Sequence, residues 1–310
     1  MENPFVDISV LPVEERTSTR KELERALARD QYIVQSNDII SRAAFKKIEF
    51  IGRSRKYSLS LVEQKIIRYL MSLIKPTDTE IHPQIVDIKE LCEICGMDTT
   101  ENRNRVQQVK EAISNIESMR LWLNKKDVSR SISWIAPYTE IYPRTGKMKI
   151  SLEPALSDFY IAQRGNYTQY QLHDIIKAKC KHTIPLYELL KSLSYKGNVI
   201  VFDIEDLRAA LNCVSYKNFA NFRKKVLDPA IEDINKYTML KVEDYGNDPK
   251  DVGKKLYFRP IKDGKTITHI EFSIRNIKAD GKEGQKRYEN VEREINPDQY
   301  ILDGYYGGEL

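Results

Sequence analysis

The sequence lacks long hydrophobic runs, a leader-like start and an abundance of cysteine. No run of about 18 apolar residues occurs, so no membrane-spanning helix is predicted. The first residues, MENPFVDISVLPVEER, have neither the cationic start nor the apolar core of a secretory signal peptide. Four cysteines without a dense framework are typical of a reducing compartment. We therefore expect a cytoplasmic protein that makes no contact with a membrane.

Histidine is also scarce, and the four histidines are His82, His173, His182 and His269. An enzyme that nicks DNA at an origin uses a metal-binding histidine pair and a nucleophilic tyrosine. No two of these histidines are separated by a single residue, so the 18 tyrosines do not argue for strand cleavage. His173, Cys180 and His182 lack a standard ligand spacing, and we expect an ordinary exposed helix there. The sequence predicts neither enzymatic activity nor a cofactor.

Cys92 and Cys95 form a C-x-x-C motif, which also occurs in zinc and redox sites. Ile88, Leu91 and the two cysteines have the spacing of the inner face of a short helix. No second C-x-x-C motif or paired histidines follow, so core packing is the better interpretation and no metal site is predicted. The segment DGKT at 263–266 lies in a predicted hairpin, which does not suit a phosphate-binding loop.

The net charge of +5 is modest for a chain of 36.2 kDa, so the position of the charge matters more than its sum. Residues 1–31 are polar and predict an N-terminal extension that contains a charged helix. Residues 278–310 are rich in glycine and charge, and they predict a flexible C-terminal tail.

Between these ends the chain contains an internal duplication. VDIKELCEICG near residue 86 matches FDIEDLRAALN near residue 202. Asp87 and Asp203 have the character of N-caps, because a carboxylate accepts hydrogen bonds from the unpaired amides of a first helical turn. Gly96 and Asn212 can take the left-handed conformation that ends a helix. Each copy therefore predicts a short capped helix.

The segments that flank the short helix are also repeated. Each copy is followed by a long amphipathic helix, in which residues 109, 113 and 116 match residues 227, 231 and 234 at a constant offset. Alternating segments then predict a β-hairpin, marked in the second copy by the turn Asp263-Gly264. An apolar helix precedes each copy, and Ser60 and Glu63 form a capping box at the start of the first.

This order predicts an α+β fold, a tandem pair of winged helix-turn-helix domains related by internal duplication. The first domain is predicted over residues 32–160 and the second over residues 161–277. Two unrelated α+β domains would be the alternative, but they would not explain the shared offset. The segment YGNDPKDVGKKLYFRPIKDGKT is longer than a simple strand-turn-strand, so we expect a larger wing or an extra hairpin.

The long helix of the second copy is polarised in charge. Four cations and no acid lie between positions 217 and 225, and acids follow around Pro229. In a helix-turn-helix the second helix enters the major groove by its N-terminal part, where cations are useful. On a helical wheel the apolar residues Phe219, Phe222, Val226 and Leu227 lie on one side. The candidate DNA-binding residues on the other side are Lys217, Asn218, Asn221, Lys224 and Lys225.

Other cations of the two domains complete the candidate interface. Arg223 is included as a candidate, although the wheel places it in the apolar arc, where it could instead be packed or paired. Pro229 predicts a kink or break in the helix. Lys262 and Lys265 lie at the tip of the second hairpin. In the first domain Arg103, Gln107 and Lys110 share the polar face of the long helix, where acids dilute the charge; DNA contact and dimerisation both remain open for this domain.

The segments YIVQSNDIISRAAF, SLSLVEQKIIRYLMSLIKP, GNYTQYQLHDIIKAKCKHTIPLYELLKSL and FANFRKKVLDPAIEDINKYT resemble the theta-type, iteron-binding plasmid replication initiators. The resemblance covers residues 32–277. It implies an N-terminal winged helix that dimerises and contacts the DNA backbone, and a C-terminal one that reads bases. The base-reading positions of the family fall on Asn218, Lys224 and their neighbours, with Asn218 in place of a basic residue of some relatives.

The resemblance also implies partners and roles. Members bind directly repeated origin sequences in double-stranded DNA as monomers, repress their own promoter at an operator as dimers, and recruit the host initiator and helicase without a catalytic site. A winged-helix transcriptional repressor without a replication role is the alternative function. Direct repeats of about two helical turns beside the coding region would indicate an origin, and a lone inverted repeat an operator.

Overall fold

The computed structural model describes residues 31–40, 48–51, 59–75, 78–97, 102–125, 128–161, 167–246, 255–278 and 281–295. The predicted N-terminal extension lies outside these residues except for Gln31. Within the described ranges, no helix is both long enough and apolar enough to cross a membrane.

The first half of the chain consists of helices and two small antiparallel sheets. Its elements are β1 (Tyr32–Ser36), α1 (Asn37–Ile40), β2 (Ile48–Ile51), α2 (Leu61–Ser72), β3 (Gln84–Asp87), α3 (Ile88–Cys95), α4 (Asn102–Ser118), β4 (Arg120–Lys125), β5 (Val128–Ile132), β6 (Glu140–Tyr142), β7 (Lys147–Ile150), a 3-10 turn (Pro154–Leu156) and α5 (Ser157–Tyr160). Strands β3, β7 and β6 form one sheet in that order, and β2, β4 and β5 form the other.

The second half repeats this plan. Its elements are β8 (Tyr167–Gln171), α6 (His173–Ile176), α7 (Thr183–Leu193), β9 (Val199–Asp203), α8 (Ile204–Ala210), α9 (Phe219–Phe222), a π-helical turn (Arg223–Leu227), α10 (Asp228–Tyr237), β10 (Leu240–Val242), β11 (Arg259–Asp263), β12 (Thr266–Asn276) and α11 (Lys282–Ile295). Strand β12 pairs with β9, β10 and β11. The strand that leads into the short helix therefore pairs with the second strand of a hairpin in both halves.

The repeated helix signals are confirmed atom by atom. Asp87 accepts the amides of residues 89 and 90 at the start of α3, and Asp203 accepts those of residues 205 and 206 at the start of α8. Gly96 and Asn212 have φ values of +71° and +54°, in the left-handed region. The residues matched at a constant offset are all buried: Val109, Ile113, Ile116, Leu227, Ile231 and Ile234. Both halves therefore contain a short capped helix followed by a long helix with the same buried positions.

The capping box at α2 is also confirmed. The Glu63 amide donates to the Ser60 hydroxyl, and the Ser60 amide donates to the Glu63 carboxylate at 2.7 Å. Most residues of α2 after the first turn are buried, and three of its long polar side chains, those of Gln64, Lys65 and Arg68, reach the second half of the chain. The predicted apolar helix is thus correct, but several of its buried residues are charged.

A two-stranded ribbon and a buried polar seam join the two halves. Strand β1 pairs antiparallel with β8. Arg68 on α2 donates through Nε and Nη2 to both carboxylate oxygens of Glu188 on α7, at 2.9 and 2.8 Å. Lys65 Nζ donates to the Ile176 carbonyl at 2.6 Å, and burial lowers the Lys65 pKa to about 8. Sequence periodicity does not predict this seam, because it gives no sign that two helices 120 residues apart will meet.

The predicted hairpin turn is shifted by one residue. Asp263 and Thr266 form the last pair of the ladder, so the central residues of the turn are Gly264 and Lys265, not Asp263 and Gly264. Gly264 has φ +57°, as glycine at the first central position of a two-residue turn allows. Before β11 the Tyr245 amide donates to the Leu256 carbonyl, and the Leu256 amide donates to the Gly246 carbonyl. Residues 247–254 lie outside the described residues, so the choice between a larger wing and an extra hairpin stays open.

Two predictions about single segments are wrong. The predicted flexible tail contains helix α11, which packs on the second half through the buried residues Arg287 and Val291. The expected exposed helix around His173 and His182 is instead buried, since both imidazoles are at most 5% exposed. The His173 ring is covered by Tyr288 of α11, and the His182 ring lies beside the Cys213 thiol, so both are buried by residues distant in the chain. Residues 296–310 lie outside the described residues.

The C-x-x-C motif packs as predicted. Cys92 and Cys95 lie on the buried face of α3, and burial raises the pKa of the Cys92 thiol to about 11. The four cysteines, all within the described residues, are free thiols. In the part of the chain that the structure describes, no three side chains of histidine, cysteine or acid form a group suited to a metal ion.

Candidate nucleic-acid interface

The second long helix is built from three joined segments. Asn218 caps its start, because its side-chain oxygen accepts the Asn221 amide at 3.1 Å. Helix α9, the π-helical turn and α10 then continue without a gap to Tyr237. We call this continuous helix, residues 219–237, the recognition helix.

The π-helical turn has a chemical cause in Pro229. Proline has no amide hydrogen, so it cannot donate to the carbonyl of residue 225, four positions earlier. The Asp228 amide reaches back five positions to the Arg223 carbonyl. The wider turn keeps Phe222, Val226 and Leu227 fully buried on the inner side. The interruption that Pro229 predicts is therefore present as a π-helical turn between α9 and α10.

The leading end of the recognition helix is fixed by contacts on its inner side. Phe219 packs edge-on against Phe258, with ring centroids 6.0 Å apart. The Arg208 guanidinium from α8 lies over the Phe222 ring at 5.4 Å and donates to the Lys217 carbonyl at 3.0 Å. The residue before the helix cap is thus fixed to the preceding helix of the motif.

The trailing half of the recognition helix is fixed by an acid. One carboxylate oxygen of Asp233 accepts hydrogen bonds from the amides of Lys179 and Cys180 and from the Thr183 hydroxyl, at 2.7 to 2.8 Å. Asp233 therefore ties the recognition helix to the start of α7. This acid of the trailing half has a structural role and lies away from the cationic end.

The predicted exposed face is exposed. Lys217, Asn221, Lys224 and Lys225 all project into solvent at the leading end of the recognition helix. Asn218 is exposed as well, but its oxygen is engaged in the helix cap. A bidentate contact with adenine needs both the oxygen and the nitrogen of an amide. Asn218 can therefore offer only its nitrogen to a base while it caps the helix, whereas Asn221 contributes its backbone amide to the cap and keeps its side chain for a base.

Arg223 differs from the other candidates. Its guanidinium pairs with Asp228 at 3.2 Å and lies 5.7 Å from the centre of the Phe258 ring, with 19% of the side chain exposed. The helical wheel places it in the apolar arc, and the structure favours this packed and paired interpretation. These contacts hold the π-helical turn against Phe258, which directly precedes β11.

The second hairpin brings further cations to the surface. Lys262 and Lys265 are exposed near and at the tip of the β11–β12 hairpin. The base of the hairpin is fixed by Arg259, which donates to Glu271 at 2.6 Å, while the Tyr245 hydroxyl donates to the same carboxylate. Arg259 lowers the pKa of Glu271, and burial together with Glu271 raises the Tyr245 pKa to about 12. These contacts brace the wing.

The corresponding helix of the first half is less basic. Gln107 donates to Glu111 at 2.8 Å, so part of its hydrogen-bonding capacity is used within the helix. Lys110 is exposed on the same face. The side chain of Arg103 lies outside the described residues, and its predicted contact stays a prediction.

Sequence reasoning missed the hairpin of the first half as a source of cations. Arg144 and Lys147 are exposed at the tip of the β6–β7 hairpin, which pairs with β3 as the β11–β12 hairpin pairs with β9. They therefore occupy the place of Lys262 and Lys265. The turn YPRTGK is part of the repeated pattern, so matching hairpin to hairpin would have found them.

The molecule has two winged-helix units, each with a helix-turn-helix and a hairpin wing. It therefore belongs to the class of winged-helix proteins, which bind duplex DNA through the helix and the wing. A family model described as "Initiator Replication protein, WH1" matches residues 32–191, and one described as "Initiator Rep protein, WH2" matches residues 203–274. The first match alone covers more than half of the chain. The protein therefore belongs to the family of initiator replication proteins. The domain boundary at residue 160 stays a prediction.

A solved structure of a replication initiator is similar in fold, and a second match is weaker. The crystal structure of Pi initiator protein in complex with iteron DNA has a TM-score of 0.60 and 15% sequence identity, and the match covers 81% of this chain and 99% of that chain. The structure of domains 2 and 3 of RctB has a TM-score of 0.45 and 12% identity, covering 80% of this chain and 92% of that chain.

Proposed function

We propose that this replication initiator binds directly repeated sequences, or iterons, in the origin that it serves. The single observation that carries the proposal is the cationic leading end of the recognition helix, where Lys217, Lys224 and Lys225 project together from a rigidly held scaffold. A replication initiator of similar fold, Pi, is in complex with iteron DNA in its crystal structure.

Each group at this end has a role in the proposed contact. Lysine donates to guanine O6 and N7 or to phosphate, and Asn221 can pair with adenine through its amide. Lys262 and Lys265 on the wing would contact phosphates beside the groove. In the first half Lys110 and the hairpin residues Arg144 and Lys147 would contact the backbone, because Glu111 engages Gln107 and makes this helix less basic.

The remaining parts of the proposal rest on family membership and on the resemblance of the sequence. The protein would act in the cytoplasm as a monomer at the origin and as a dimer at its own promoter. It would recruit the host initiator and helicase, and it would carry out no catalytic step itself. An origin-nicking enzyme would instead leave a covalent protein–DNA adduct on supercoiled DNA, and we expect no adduct.

A footprint on the DNA that carries the gene tests the proposal. We expect protection of several direct repeats at a spacing of about two helical turns. Protection of a lone inverted repeat, with no protected direct repeats, would instead identify a transcriptional repressor. A Lys224→Ala variant should weaken every protected repeat, whereas Lys286→Ala on the exposed side of α11 serves as the matched control.

A further inference from the structure

Helix α11 lies beyond both family matches, since the second ends at residue 274. It is nevertheless packed on the second winged helix, with Gly284, Arg287 and Val291 buried on one face. Three helical positions at spacings of three and four form one stripe, so this face is an inner face and not an accidental contact. Sequence reasoning missed the helix because its composition is strongly polar.

Arg287 reaches the end of the recognition helix. Its Nη1 donates to the carbonyls of Ile234 and Thr238 at 2.9 and 2.8 Å. The Ile234 carbonyl also accepts the Thr238 amide, whereas the Thr238 carbonyl lies just beyond the last helical turn, and a cation is favourable at this negative end of a helix. Arg287 therefore acts as a C-terminal cap that is supplied by another helix, and its side chain is only 5% exposed.

The same helix also contacts the ribbon that joins the two halves. The Tyr288 hydroxyl donates to the Gln171 side chain on β8 at 2.7 Å, and the Tyr288 ring packs on His173 at a centroid distance of 4.7 Å. The Asn290 side-chain amide donates to the Lys236 carbonyl. Consecutive turns of α11 thus connect the trailing end of the recognition helix to the junction of the halves.

We propose that α11 is a clamp on the recognition helix and that Arg287 is a positioning residue for DNA reading. Arg208 holds the leading end, and Arg287 holds the trailing end together with Asp233, so these contacts fix the tilt of the helix. Lys224 lies ten residues before Ile234, about 15 Å along the axis. A small change of tilt at the trailing end therefore displaces the lysines from the base edges. This inference rests on the proposed DNA-binding function.

The full-length protein tests the clamp through its binding of an iteron duplex and of a scrambled duplex of the same length. Arg287→Met should lower the affinity ratio between the two duplexes by about tenfold, comparable to the loss of one base contact. Affinity for the scrambled duplex and its salt dependence should stay within about twofold, since the phosphate-binding lysines remain. Arg287→Lys keeps the charge but loses the forked geometry of the guanidinium. Its affinity ratio should therefore lie between those of the wild type and Arg287→Met.

Lys286→Gln is the matched control, because Lys286 neighbours Arg287 on α11 but is exposed. This variant should leave the affinity ratio unchanged. If circular dichroism shows that Arg287→Met does not fold, the affinity ratio of Arg287→Lys tests the clamp instead. Hydrogen exchange of the backbone amides of residues 234–242 is the second measurement. An unchanged ratio and unchanged exchange in a folded Arg287 variant would overturn the clamp. A wild-type protein that does not prefer the iteron duplex would instead overturn the proposed function.

Discussion

The two winged helices share a framework and differ in the surface that they present. Both have an aspartate cap, a left-handed stop and the same buried positions in the long helix. The recognition helix of the second half, however, exposes lysines at its leading end, while the first-half helix pairs Gln107 with Glu111. The apolar positions and the helix caps therefore determine the fold. The exposed positions can differ between the halves without changing that fold, and they determine the function.

The largest expected effect tests whether the two halves are energetically separate. Arg68→Met leaves the Glu188 carboxylate buried without its cation, and we expect a loss of about 3–5 kcal/mol in the free energy of unfolding. Denaturant unfolding followed by circular dichroism measures it. Because the pair crosses the seam, the loss should appear in a transition that both halves share.

The matched control for the seam removes both charges. Arg68→Met combined with Glu188→Leu leaves no unpaired charge, so it should recover much of the lost stability. The Tyr170 hydroxyl, which donates to Glu188, would then need another acceptor, which limits the recovery. A loss below about 1 kcal/mol in Arg68→Met would contradict the view that the seam is a closed interface.

An acid titration compares a buried histidine of the second half with an exposed one of the first. Burial, aided by the charge of Lys181, lowers the His182 pKa to about 4, whereas an unfolded histidine titrates near 6.5. Between these values only the unfolded chain takes up the proton. Stability should therefore fall by roughly 1.4 kcal/mol per pH unit as the pH drops from 6.5 towards 4.

Paired unfolding curves isolate this contribution from that of the carboxylates. His182→Gln should flatten the acid-side slope relative to the wild type, since glutamine does not titrate. The control is His82→Gln, the same substitution at an exposed position of the first half. Equal slopes in the wild type and His182→Gln would show that His182 does not limit acid stability.

The two long helices differ most in their expected DNA contacts. Lys224→Ala should weaken iteron binding by about 1–3 kcal/mol if the lysine reads a base, or reduce the salt slope by about one if it contacts phosphate. Lys110→Ala, at an exposed position of the first-half helix, should cost less and change only the salt slope. Titrations of a labelled duplex at several salt concentrations separate these cases. Equal losses of iteron affinity in Lys224→Ala and Lys110→Ala would contradict the expected difference in DNA contact between the two long helices.

The sequence predicts the local framework better than the long-range contacts. The caps at Asp87 and Asp203 depend on neighbouring residues, so their prediction succeeds. The Arg68–Glu188 pair and the burial of His173 depend on elements far apart in the chain, for which one sequence gives no signal. Arg223 is an intermediate case, because its partner Asp228 is near in sequence but is brought close by the π-helical turn that Pro229 causes.

The two aspartate caps give a matched pair of smaller effects. Asp87→Ala and Asp203→Ala each leave two first-turn amides without a side-chain acceptor, and each should cost about 1 kcal/mol in stability. Chemical denaturation measures both. Only Asp203→Ala should also weaken iteron binding, because α8 carries the Arg208 that holds Lys217. Equal effects of both variants on binding would indicate that the two motifs contribute alike.

The smallest effects come from the two wings. Lys147 and Lys265 lie at the tips of equivalent hairpins, and a single lysine at each tip is suited to a phosphate more than to bidentate base reading. Each lysine that neutralises one phosphate releases about one counterion, so Lys147→Ala and Lys265→Ala should each reduce the salt slope by about one, with similar effects on all duplex sequences. If only Lys265→Ala changes the slope, Lys147 does not contact a phosphate, and the two wings differ in the way they dock. If both change it, the halves grip the same duplex through their wings while the recognition helix of the second half alone discriminates between sequences.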